Sequence, residues 1–147
     1  METSRRLAHR LFTCIARFSN AKRGTVLIEF AFAVPIFLTL MCGTVTYGGW
    51  MALSHAVQQS ANEGARAALG GITPDERASI ARSQALMTMR TYNVDPNRVL
   101  VAVGDDGTTL SVSVTYDAAR DPRLALKMVP LPTTTIERRT AVVLAGL

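Results

Sequence analysis

The sequence predicts an α+β protein: a long N-terminal transmembrane helix that extends beyond the bilayer, then a small helix plus a three-stranded antiparallel sheet. Three observations carry this. From Thr25 to Leu53 the only charged residue is Glu29. Helix-favouring Ala and Gln continue from Ser54 to Leu69, where Gly70-Gly71 supplies a stop. Farther on, two stretches alternate apolar and polar residues at the strand period, joined by Gly104-Asp105-Asp106-Gly107.

The first 24 residues form a basic leader. Arg5, Arg6, Arg10, Arg17, Lys22 and Arg23 stand there against Glu2 alone, whereas basic and acidic residues balance from Thr25 onward. The pI near 9.9 therefore belongs to the leader. With no basic stripe and interleaved aromatics in the body, a nucleic-acid partner is not expected. Leu7, Leu11, Ile15 and Phe18 share one helical face, but the simpler role of the leader is topogenic: positive charge beside a first span holds that end in the cytoplasm.

Residues 25–53 make the span. These 29 residues would measure roughly 43 Å as a helix at ~1.5 Å per residue, more than the ~30 Å hydrocarbon core requires. A cleavable secretory h-region is only about 7–15 residues long, so this segment is expected to persist as a single-pass anchor. Pro35 falls inside it and removes one backbone hydrogen bond. Tyr47 and Trp50 stand where an outer interfacial belt belongs. Glu29 is the exception: a mid-span acid costs ~2.5–3.5 kcal/mol even on insertion-based scales, which makes it a functional residue by default.

The exported module occupies residues 54–147. Its elements are a helix at 54–69, continuous with the span, a helix at 74–90, and strands near 98–103, 109–116 and 134–144. Thr73-Pro74-Asp75-Glu76 carries a cap, a first-turn proline and the acid of a capping box. Ile80, Gln84 and Met87, with Ala81, Ala85 and Met89, give the stripe expected to pack on the sheet. In the second strand Leu110, Val112, Val114 and Tyr116 share one face. Asp117–Pro132 reads as a proline-bearing loop whose Leu124, Leu126 and Val129 tuck against the sheet. Such a core is thin, so added support is expected from the long helix or from neighbouring subunits.

Candidate chemistry is sparse. Cys14 and Cys42 would be separated by any cut at Gly24, and the Cys and His supply is too small for a zinc site. His55 reads as a solvated helix residue. No Ser/His/Asp arrangement or glycine-rich phosphate loop is present, and Asp105-Asp106 suits the hairpin turn better than acid–base work. The expectation is a non-enzyme without cofactor, metal or small-molecule substrate.

Two segments resemble one family. Arg23-Gly24-Thr25-Val26-Leu27-Ile28-Glu29-Phe30-Ala31, with Pro35 downstream, resembles the start of TadE-like proteins of the Tad (tight adherence) pilus-assembly system. Ala61-Asn62-Glu63-Gly64-Ala65-Arg66-Ala67-Ala68 resembles the EGAR segment that follows the span there. Together they cover about a third of the chain.

The resemblance implies a minor pseudopilin of a type IVb, or Flp, pilus. A prepilin peptidase would cut between Gly24 and Thr25, making Glu29 the fifth mature residue, with Glu29, Phe30 and Pro35 serving recognition and assembly. The implied partners are that peptidase, other pilins and pseudopilins, the Tad assembly platform and the lipid bilayer. The implied location is the bacterial inner membrane, N-terminus cytoplasmic and C-terminal module periplasmic. In the second motif, Glu63 and Arg66 have the i,i+3 spacing of a surface pair. Gly64, costly inside a helix, implies close packing on the sheet or on a partner. With only 78 residues after Leu69, the chain fits the TadE or TadF type rather than the larger TadG-like proteins. The alternative is an uncleaved signal-anchor protein with an unrelated exported binding module.

Overall fold

The computed structural model describes residues 22–126 and 129–144. Most of the leader, Cys14 included, lies outside the described residues. The element order is α1 (Lys22–Ala68), α2 (Pro74–Thr91), a short 3-10 turn (Pro96–Arg98), β1 (Val99–Asp105), β2 (Thr109–Asp117), a second 3-10 turn (Pro122–Leu124) and β3 (Thr135–Val143). The chain is α+β, as its sequence predicts. It divides into two compact units, residues 1–41 and 42–147.

In the first unit the described residues are helical, and every side chain from Gly24 to Met41 is exposed. This stretch lies in the one helix long and apolar enough to cross a membrane among the described residues.

The second unit is built on the sheet β1-β2-β3, antiparallel throughout. Strand β2 is central, and its Leu110, Val112, Val114 and Tyr116 are all buried on one face, as period-two alternation requires. Partners across the ladder extend that face: Val101 and Val103 of β1 stand opposite Val114 and Val112, and Ile136 of β3 stands opposite Tyr116. The β1–β2 hairpin closes over Asp106-Gly107-Thr108. Gly107 takes φ +80, a left-handed conformation that a side chain would strain. Asp105 Oδ1 accepts from Gly107 N, and Asp106 Oδ1 accepts from Thr108 N and Thr109 N, so both acids shape the turn.

Helix α2 begins as its sequence directs. Thr73 Oγ1 accepts from Glu76 N at 3.2 Å, while Glu76 Oε2 reaches back to Ile72 N at 3.0 Å. Its buried stripe is Ala81, Ala85 and Met89. Met87 stays exposed because its spacing from that stripe turns it to the outer side of the helix.

The same face of the sheet receives the second half of α1. Leu53, Val57, Ala61, Ala65 and Ala68 recur three or four residues apart and are fully buried in one cluster with α2 and the sheet. Two packed helices thus thicken a core that a single helix would leave thin. The contacts with α1 are also polar. Ser60 Oγ donates to Ala85 O at 2.8 Å, Gln58 Nε2 donates to Thr140 Oγ1 at 3.1 Å, and Arg138 hydrogen-bonds Ser54.

Candidate functional site

The residues singled out by sequence fall in two places on α1. The first is its apolar N-terminal stretch. Gly24, Thr25, Glu29, Phe30 and Pro35 are exposed, and a Cβ on Gly24 would meet nothing within 4 Å. Pro35 sits inside the continuous helix and supplies no N–H to the carbonyl one turn back, while its own carbonyl accepts from Thr39 Oγ1 at 2.8 Å. What this stretch offers is an uninterrupted apolar surface with one carboxylate.

The second place is the packed seam at Glu63-Gly64-Ala65-Arg66. A Cβ on Gly64 would stand 3.0 Å from the Ala81 carbonyl, 3.3 Å from Ala85 Cβ and 3.6 Å from Val112 Cγ1. The glycine therefore lets α1 approach both α2 and the sheet, and Ala65, fully buried beside it, continues the seam. The close packing that Gly64 implies is found within the chain's own module. The Glu63–Arg66 pair that the i,i+3 spacing allows is not formed. Glu63 Oε1 instead accepts from Gln59 Nε2 at 2.8 Å, one turn earlier, where i,i+4 geometry favours it. Arg66 is exposed in the last turn, where a cation complements the carbonyl end of the helix.

Sequence reasoning missed a third feature, the strapping of the proline-rich loop to α1. Thr46 Oγ1 shares its one proton between Cys42 O at 2.8 Å and Leu126 O at 3.2 Å, Tyr47 Oη donates to Pro130 O at 2.9 Å, and Trp50 Nε1 to Thr133 O at 3.0 Å. Gly49 allows the loop in, since a Cβ there would lie 2.9 Å from the Arg123 carbonyl. The loop is pinned at its other end by Asp121, buried, whose Oδ2 accepts from Tyr116 Oη at 2.7 Å and whose Oδ1 accepts from Arg123 N at 2.9 Å. Leu124 is buried as expected, whereas Leu126 is 44% exposed. The strap holds the Leu126 backbone rather than its side chain, which accounts for the difference.

The perturbed titrating groups are structural. Burial pushes the Tyr116 phenol up to about 12, and its hydrogen bond to Asp121 acts in the same sense, against the opposing pull of Arg98. Asp105 is held below the ordinary carboxylate range by the hydrogen bond from Arg77, whose Nε lies 2.7 Å away, and by the Gly107 amide. Asp106 is lowered by the amides of Thr109 and Thr108. Among the described residues no group of three His, Cys, Asp or Glu side chains is placed to hold a metal ion.

Comparison with known proteins adds one finding. No curated protein and no solved structure matches the chain. The family model described as TadE-like protein matches residues 24–66, which begin at Gly24 and end at Arg66 of the packed seam. Over that helical segment, the chain matches the TadE-like family.

Proposed function

We propose that this chain is a minor pseudopilin that takes part in assembling a Tad/Flp-type pilus for surface adherence. It is made as a precursor, held in the bacterial inner membrane with its N-terminus cytoplasmic, and cut by a prepilin peptidase between Gly24 and Thr25. The observation that carries this reading is the position of Glu29: one carboxylate, five residues past Gly24, on an exposed apolar helix within the TadE-like segment.

Cleavage would create an ammonium at Thr25 one helical turn from Glu29. Pairing of amine and carboxylate, within a subunit or between neighbours, would offset the cost of holding the acid in lipid and set the axial register of packed helices. The apolar surface around it would meet other pilins or pseudopilins and the assembly platform, a structural rather than a catalytic role. The seam at Gly64 and Ala65 packs the second half of that helix within the module.

Mass spectrometry of the membrane fraction tests the processing step. The expected species begins at Thr25. A chain that keeps residues 1–24 favours the uncleaved signal-anchor reading instead. Glu29→Gln is expected to abolish either processing or co-purification with sheared pili; if both survive, the role given to Glu29 is wrong.

A further inference from the structure

The strapped loop meets α1 within the second unit, at residues that follow closely on the exposed apolar stretch. A span drawn by hydropathy alone reaches Leu53, but the structure limits how much of that can face lipid. Thr46 is only 1% exposed, and Leu53, Ala56 and Val57 are buried within the second unit. The wholly exposed apolar stretch is Gly24–Met41, 18 residues, or roughly 27 Å of helix at ~1.5 Å per residue. That is close to the ~30 Å of a hydrocarbon core. Met41 is two residues from Gly43, and a Cβ on Gly43 would touch Val129 Cγ2 at 3.6 Å. Chain connectivity alone therefore brings the bilayer boundary to the loop.

The loop has the chemistry for that position. Between Arg123 and Glu137 the sequence holds one charged residue, Lys127, together with Leu124, Leu126, Val129 and Leu131. Pro130 and Pro132 have no backbone N–H to satisfy. Three of the loop's carbonyls accept hydrogen bonds from Thr46, Tyr47 and Trp50, which lowers the cost of leaving water. Tyr and Trp are the side chains that favour the interfacial layer. Despite this, Leu126 is left exposed and Val129 and Leu131 only half-buried.

We propose that the loop bearing Leu126, Val129 and Leu131 seats in the outer interfacial layer of the bilayer as a second, monotopic membrane contact. The membrane-embedded part of α1 then ends near Met41 rather than at Leu53. This rests on residues 24–41 spanning a bilayer, and the test separates the two claims.

The full-length chain with Cys14→Ala and Cys42→Ala is reconstituted in phosphatidylethanolamine/phosphatidylglycerol vesicles. It carries one spin-labelled cysteine at a time: Phe32→Cys in the span, Leu126→Cys in the loop, or Leu100→Cys on the exposed side of β1. Accessibility to oxygen and to a water-soluble nickel chelate is then measured. The Leu126 label is expected to collide with the chelate less than the Leu100 label by roughly threefold or more, with oxygen collisions raised, as for an interfacial group. A Leu126 label as open to the chelate as Leu100, beside a shielded Phe32 label, overturns the loop proposal and leaves the span intact. A Leu126 label shielded from both reagents points to protein packing and also overturns it. A Phe32 label open to the chelate overturns the span reading, and the loop proposal with it. All three labelled positions are exposed, so the substitutions spare the core.

Discussion

The two halves of α1 differ in both apolar content and surroundings. From Gly24 to Met41 every side chain is exposed, with Val, Leu, Ile and Phe on all sides. From Leu53 to Ala68 the exposed and buried positions alternate at the helical period, and the buried ones are mainly small: four alanines with Ser54, Ser60 and Gly64, beside Leu53 and Val57. A helix apolar all round needs an apolar solvent, whereas a stripe of small residues needs a close protein neighbour. One secondary-structure element thus serves two functions, and the changeover falls between Met41 and Thr46.

Substitutions that treat the two halves alike should reveal the contrast. Leu53→Ala removes a fully buried side chain and is expected to cost ~2–5 kcal/mol. Phe32→Ala, in the exposed half, is expected to leave the module's unfolding midpoint unchanged. Denaturant melts of the full chain in detergent, followed by near-ultraviolet circular dichroism, compare the two. Equal losses would mean that the first half is also packed within the chain.

Tyr116→Phe, by leaving Asp121 Oδ2 buried without its donor, is expected to cost about 1–3 kcal/mol. The wild-type phenol adds a pH signature. Because its folded value is raised to about 12 from the ordinary 10.0, its contribution is complete below pH 10.0 and disappears as pH rises through about 12. Thermal melts across that alkaline range should show a decline that Tyr116→Phe flattens.

The glycines give a smaller and more pointed contrast. Gly48→Ala meets nothing within 4 Å and should stabilise the helix by about 0.5–1 kcal/mol. Gly64→Ala gains the same propensity but drives a methyl against the Ala81 carbonyl at 3.0 Å, and the overpacking penalty of about 1–3 kcal/mol should win. Chemical denaturation of the two variants reads the opposite signs directly. The smallest effect is expected at the hairpin. Asp105 and Asp106 are lowered, so their support is present above the ordinary 3.8 and lost as pH falls through their folded values. Arg77→Met should narrow that acid-side loss, measured as the melting temperature from pH 5 down to pH 2.

Much of the fold was legible because its signals are local. The alternation Leu110, Val112, Val114, Tyr116 and the turn acids beside Gly107 need no knowledge of distant residues. The cap at Thr73 lies within four residues of its partners. Met87 and Leu126 were misjudged because hydrophobicity does not say which side of an element a residue faces. The straps from Thr46, Tyr47 and Trp50 were not legible at all, since their acceptors lie 80 to 83 residues away. In the candidate site, Gly64 announced a close approach, but only the fold identifies Ala81, Ala85 and Val112 as its neighbours. The Glu63 partner was left open for a plainer reason: Arg66 and Gln59 stand three and four residues away, and spacing alone does not choose between them.

The last strand bears on the order in which the module can form. Strand β3 meets α1 through Arg138 with Ser54 and through Thr140 with Asn62, pairs separated by 84 and 78 residues. Contacts so remote in sequence carry a large loop-closure entropy and form late. A nascent chain that has released α1, α2 and the hairpin still lacks the strand that covers one side of β2. Completion of the core therefore waits for Thr135–Val143, and a chain truncated before Thr135 would present an open ladder to quality-control proteases.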